Sequence, residues 1–289
     1  MGFAALHPPY SLLALTTQNN VGLDFCGSNG AGDQTSATAI SPDGASRYLV
    51  GDCGVNHTAY LYDWDMNLTT PVVYPAAKST YVTGVNAGGL TVGSYATTGG
   101  VTHGFYLIGS LYVTFDPPGA TTTNTWGISI NNAIYGNYAA GGSVSYGFLL
   151  REGGTYTTLN PANSIATVVT GLNAANEAAG FYVDSALREH AFWWVNGGFG
   201  TISLGSNSVA AGINQAGQMA GTYWDTSGVS HGFVVDTLGS TYITFNAPTG
   251  ATGLVVTGVN NTHAGVSGYY QKGGKTVGFL ALCEGKGCY

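Results

Sequence analysis

Charge is what this chain has least of. Only 7% of its 289 residues are Asp, Glu, Lys or Arg, and 7 cations stand against 14 carboxylates, a formal net charge of −7. Proteins that hold phosphate backbones present a stripe of Lys and Arg, so the composition excludes nucleic acid and argues against an anionic membrane. It equally disfavours strongly acidic polysaccharides, whose carboxylates or sulfates are gripped by clustered cations. Long apolar runs are missing too, and none approaches the ~20 residues that span a bilayer. The opening Met1-Gly2-Phe3 has no basic stretch ahead of an apolar core, so a signal peptide, if the native protein has one, is not part of this sequence. No His-Glu-x-x-His, phosphate loop or paired Cys-x-x-Cys occurs, and neither a metal nor an organic cofactor is expected.

What the chain has in excess is glycine, 46 of 289 residues or about 16%, against a usual ~7% and without a collagen period. The glycines recur in a phrase: a Gly, then Gly-x-Tyr about nine residues on, then a Gly-Phe or Ala-aromatic pair about ten further. Clear copies are Thr83-Gly84-Val85-Asn86, Gly93-Ser94-Tyr95 and His103-Gly104-Phe105, and again Ala211-Gly212-Ile213-Asn214, Gly221-Thr222-Tyr223 and His231-Gly232-Phe233. The second glycine falls at Gly51, Gly93, Gly136, Gly180, Gly221 and Gly268, intervals of 42, 43, 44, 41 and 47 residues. Six such units without a linker predict one domain rather than two.

In the second unit, residues 81–86, 90–95, 103–108 and 112–116 are short β-branched and aromatic segments separated by Gly-rich turns. They predict a four-stranded antiparallel meander. A repeat of 40–50 residues carrying four strands is a propeller blade. The expectation is an all-β, six-bladed propeller with blades near 36–80, 81–125, 126–168, 169–209, 210–254 and 255–289. The last unit ends at Tyr289 one strand short, and residues 10–17 resemble the missing strand. They would then cover an edge that otherwise invites aggregation. A two-plus-two closure stays open, because Gly2-Phe3-Ala4-Ala5-Leu6 resembles a third strand.

Four cysteines in a low-charge, Gly- and Thr-rich chain predict disulfides. Cys26 and Cys53 fall on one rim, with Cys53 in place of the repeated Tyr, and Cys283 and Cys288 flank Glu284-Gly285-Lys286-Gly287. Cys26–Cys53 and Cys283–Cys288 are the expected pairs.

The units resemble the bacterial extracellular HAF repeats, named for a His-Ala-Phe signature that His190-Ala191-Phe192 matches. His103-Gly104-Phe105 and His231-Gly232-Phe233 nearly match it. The resemblance covers residues of about 36–289 and implies an exported β-propeller. The histidine is replaced at Thr58, Tyr146 and Val277, which rules out a catalytic duty shared by all six positions.

Strand order puts the connections between blades and the loops between second and third strands on one rim. That rim would carry Asp24, Cys26, Asp33, Asp116, the loop 184–190, and Asp225 through His231. His103, His190 and His231 could ligate metal or move protons, but a repeated structural hydrogen bond explains three histidines on separate blades better. The tyrosines of Gly-x-Tyr (Tyr95, Tyr138, Tyr182, Tyr223, Tyr270) suit packing between blades or stacking on sugars. Asn86, Asn173, Asn214 and Asn260 suit turns bonded to local backbone, and Asp63-Trp64-Asp65-Met66-Asn67 suits a hairpin tip rather than a calcium loop.

Arg188, His190, Tyr223, Trp224 and His231 are therefore the expected ligand contacts. Asp184, Glu189 and Asp225 are the weak catalytic candidates, since two carboxylates can serve a glycosidic bond as acid and base. The function expected is a secreted monomer that binds a neutral glycan or another extracellular polymer. Two alternatives remain: a secreted carbohydrate-active hydrolase or lyase with its site at the channel mouth, and a surface or adhesion scaffold.

Overall fold

The computed structural model describes residues 10–14, 35–41, 48–53, 58–236, 242–261 and 265–283, and only the backbone of residues 10–14, 35–36, 53 and 282–283. Among the described residues there is no helix, hence none long and apolar enough to cross a membrane. Strand β1 (Tyr10–Ala14) belongs to the last sheet. The first sheet is β2 (Thr35–Ile40), β3 (Tyr48–Cys53), β4 (Thr58–Asp63) and β5 (Leu68–Val72). The second is β6 (Ser79–Val85), β7 (Thr91–Ala96), β8 (Thr102–Ile108) and β9 (Leu111–Phe115). The third is β10 (Thr122–Ile128), β11 (Ile134–Ala139), β12 (Ser145–Arg151) and β13 (Thr155–Leu159).

The fourth sheet is β14 (Ser164–Leu172), β15 (Ala178–Asp184), β16 (Glu189–Val195) and β17 (Gly198–Thr201). The fifth is β18 (Asn207–Ile213), β19 (Gln218–Trp224), β20 (Ser230–Asp236) and β21 (Tyr242–Phe245). The sixth is β22 (Thr252–Val259), β23 (Val266–Lys272) and β24 (Lys275–Cys283), completed by β1 in the order β1-β24-β23-β22. These are the blades of a six-bladed β-propeller. β1 pairs antiparallel to β24, Tyr10 opposite Cys283 and Ala14 opposite Phe279. Closure is thus three strands plus one, and the two-plus-two alternative is not what forms. The first strands of the six blades start at Thr35, Ser79, Thr122, Ser164, Asn207 and Thr252, each ahead of its first apolar residue. Cys26 and Cys288 lie outside the described residues, as do the side chains of Cys53 and Cys283, so neither expected disulfide falls within them.

The chain divides into two compact units, Asn19–Val169 and Met1–Gln18 with Thr170–Tyr289. In each, the core lies between blades. In the first unit one cluster joins Val50, Ala59 and Val72 to Val82, Val85 and Phe105, and another joins Val92 and Phe115 to Ile128, Tyr138 and Phe148. In the second, Ala179, Ala191 and Ile202 meet Ala210, Met219 and Phe233, while Phe245 meets Leu254, Tyr270 and Phe279. The third strand of every blade contributes one fully enclosed ring: Tyr60, Phe105, Phe148, Phe192, Phe233 or Phe279. Each burial is worth ~1.5–3 kcal/mol.

Polar staples tie blades together within each unit. The Asn of Gly-x-Asn closes its own turn, as Asn214 Oδ1 does by accepting from the Ala216 and Gln218 amides at 3.0 and 2.8 Å. Its Nδ2 then donates to the Asn260 carbonyl of the next blade at 2.9 Å, and Asn173 does the same to Asn214 at 3.2 Å. A bulge in the first strand frees an amide, and the preceding blade satisfies it: Ser94 Oγ accepts from Thr125 N at 2.8 Å, and Thr222 Oγ1 from Val256 N at 2.9 Å.

Candidate functional site

The repeat brings the expected rim residues into one recurring arrangement. Tyr223 faces His231 across β19 and β20, and Tyr182 faces His190 across β15 and β16. Their rings stack at 4.9 and 5.0 Å. A carboxylate from the intervening loop meets each imidazole: Asp184 Oδ2 lies 2.9 Å from His190 Nε2, and Asp225 Oδ2 lies 3.3 Å from His231 Nε2. The other oxygen of each carboxylate closes the loop. Asp184 Oδ1 accepts from the Ala186 and Arg188 amides, and Asp225 Oδ1 from the Ser227 and Val229 amides, at 2.8–3.0 Å. These amide bonds, seconded by the histidines, hold both carboxyls below their ordinary value of 3.8.

Blade two keeps the stack, His103 on Tyr95, but its loop has Thr97 in place of the Asp. His103 Nδ1 lies 2.8 Å from Asp116 Oδ2 in the connection between blades, as His231 Nδ1 meets Asn246 Oδ1 in blade five. His190 and His231 thus repeat one bond to a loop carboxylate, and His103 and His231 repeat one to the connection between blades. The side chains are neither sealed nor presented: His231 is 18% and His190 28% exposed. Both oxygens of Asp184 and Asp225 are engaged, one by loop amides and the other by the histidine. The Glu189 amide donates to Asn207 Oδ1 at 2.9 Å, and its side chain is half-buried. Arg188 is exposed on its loop, and Trp224 is half-buried on β19.

Two features escape the sequence analysis. Gly228-Val229-Ser230-His231-Gly232 fits the Gly-x-Ser-x-Gly spacing of a nucleophile elbow, which requires a sharp strand-to-helix turn with the serine exposed. Here Ser230 instead begins β20 and is 7% exposed, and its Oγ has no hydrogen-bond partner among the described residues. Successive side chains of a strand point to opposite faces, so the adjacent His231 cannot serve it as base. The spacing is a coincidence of the blade repeat.

The second is Trp126. In the first strand, the residue ahead of the glycine at the bulge is Thr83, Thr170, Ala211 or Thr257 in other blades, and only blade three has an indole there. Trp126 is 48% exposed, and its Nε1 donates to Asn137 Oδ1 at 2.7 Å, which fixes the ring. Asn124 is exposed on the same face of β10. On the adjoining strand β6, Tyr81 is 44% exposed at the place equivalent to Asn124. The two strands come so close that a Cβ on Gly84 would stand 3.1 Å from the Gly127 Cα. The signal was present as a break in the repeat, a large aromatic where hydroxyls are the rule.

No protein-family model and no curated protein sequence matches the chain. Solved structures do. A prolyl endopeptidase is 14% identical over 87% of this chain and 42% of its own, with a TM-score of 0.60, so the chain spans less than half of that enzyme. The β-propeller domain of the Trilobed protease from Pyrococcus furiosus is 10% identical over 86% of this chain and 81% of its own, TM-score 0.60. A luciferin-regenerating enzyme is 12% identical over 88% and 93%, TM-score 0.50. Propellers described as lectins also match, at TM-scores of 0.44 and 0.45, too loosely to carry an argument. At these identities the likeness shows the fold alone.

Proposed function

We propose that the protein is an exported, monomeric, non-catalytic propeller that binds a neutral glycan. One observation carries this: Trp126 is held by Asn137 with nearly half its surface in water, on the strand that also exposes Asn124, while the adjoining strand β6 exposes Tyr81. Aromatic faces and amides without charge suit a sugar, whose C–H face stacks on a ring while its hydroxyls bond amides. The scarcity of cations fits the same ligand class, and the resemblance to extracellular HAF repeats supports export. Arg188 and Trp224, backed by Tyr223, His190 and His231, are a second contact region on the rim. Engagement of Asp184 and Asp225 in their own loops favours binding over hydrolysis.

The test is retention on a panel of insoluble neutral polysaccharides, with reducing and unsaturated ends assayed in the same tubes. Trp126→Thr, which restores the residue of blade two, should lose retention at an unchanged melting temperature. Release of new ends would mean the enzyme alternative. Failure to bind any glycan would leave the scaffold.

A further inference from the structure

A cleft of about 390 Å³ opens between blades two and three of the unit Asn19–Val169. Its wall is apolar and aromatic, with Tyr106 and Val113 on one blade and Ile134, Leu150 and Tyr156 on the other. Its polar edge comes from two turns of blade three, which supply Asn132 and the pair Arg151 and Glu152. By strand order these turns lie at the end of the blade opposite the loop between its second and third strands. Volume, apolar lining and a few convergent polar groups are the marks of a small-molecule site.

The edge decides which molecule. Asn132 Oδ1 accepts from Asn86 Nδ2 at 2.6 Å, so what this side chain has to offer a ligand at the edge is its Nδ2 donor. The exposed Glu152 carboxylate can only accept. A hydroxyl both accepts and donates, and so answers both groups at once. Arg151 and Glu152 cancel in formal charge, and Arg151 Nη1 already donates to Thr157 Oγ1 at 2.7 Å. An ion of either sign would leave water for an apolar wall and meet a like charge beside its counter-charge. We infer that this cleft binds a small uncharged molecule with an apolar ring or short chain and one hydroxyl, at a site separate from the exposed Trp126 face.

The experiment uses 2-phenylethanol, phenylacetate and 2-phenylethylamine as probes, titrated into the full chain by ligand-observed NMR. The alcohol should bind, and both ions should bind several-fold more weakly or not at all. Val113→Trp should fill the cleft and abolish alcohol binding. Glu152→Ala, an exposed change that cannot unfold the blade, should weaken it about tenfold, the value of one charge-assisted hydrogen bond. Trp126→Thr should leave it unaltered even if glycan retention is lost, which separates this site from the proposed function. No alcohol binding at millimolar concentration, equal binding of either ion, or binding indifferent to Glu152→Ala would overturn the inference.

Discussion

The glycine that measures the repeat is fixed by a carbonyl and a ring. A Cβ on Gly93, Gly136, Gly221 or Gly268 would stand 2.0–2.1 Å from a carbonyl oxygen of the preceding strand and under 3.0 Å from the buried Phe of the third strand. Neither neighbour can give way, so Gly221→Ala should cost about 3 kcal/mol in denaturant unfolding. Gly212, with nothing within 4 Å of an added Cβ, should accept Ala within about 1 kcal/mol. The loop carboxylates give a second prediction. Their pKa values are lower folded than unfolded, so their stabilisation is complete above the ordinary carboxylate range and lost as pH falls through the folded values. Side-chain NMR titration should place the Asp184 and Asp225 midpoints below 3.8, with amide protection of the two loops disappearing over the same interval. Midpoints at or above the ordinary value would refute the brace. At this scale the sequence announced which residues recur but not what they do. Asp184 and Asp225 looked like a charged patch, because nothing in one dimension shows that one oxygen of each takes amides of its own loop and the other the histidine beyond it.

In blades two and five, the Gly of the third-strand phrase is matched in size to the residue opposite it. Gly104 and Gly232 lie under the rings of Phe115 and Phe245, whose carbons would be 2.1–2.5 Å from an added Cβ. Ala59 faces the smaller Val72, and Ala191 bonds to Ile202. His-Ala-Phe and His-Gly-Phe are therefore two solutions of one packing problem. Gly232→Ala should destabilise alone, and Phe245→Ile in the same chain should recover part of the loss. A double-mutant cycle should show a coupling of ~1–2 kcal/mol, and strict additivity would contradict the match. The sixth blade depends on β1, since without it β24 would be an open edge. A chain lacking residues 1–14 should melt earlier and aggregate, whereas an unchanged melting curve and elution volume would count against that role. Strand number was legible beforehand because turn glycines and β-branched runs are local signals, whereas closure stayed open between three-plus-one and two-plus-two because Gly2-Phe3-Ala4-Ala5-Leu6 reads locally as a strand as well. The exact starts of the first strands were not legible, because Ser79, Thr122 and Asn207 join their strands through pairing with the second strand rather than through any propensity of their own.

For the molecule as a whole, architecture could be read from the repeat, and the binding surface could be read only where the repeat breaks. The rim of blades four and five attracted notice through its charges, yet those charges brace loops. The exposed indole of Trp126 stands at a position whose counterparts in the other blades are small or hydroxylated, and its significance needs three-dimensional facts: the bond to Asn137, its exposure, and the exposed Asn124 on the same strand. If the rim also contributes, Arg188→Ala with Trp224→Ala should weaken retention less than Trp126→Thr and leave the melting temperature nearly unmoved. Side-by-side sedimentation of the unaltered chain and Trp126→Thr with an insoluble neutral polysaccharide, with reducing ends assayed in the supernatant, weighs binding against catalysis. Retention of the unaltered chain, a loss of at least tenfold in Trp126→Thr and no released ends are predicted. Equal retention of the two proteins, or ends released by either, would contradict a glycan-binding propeller.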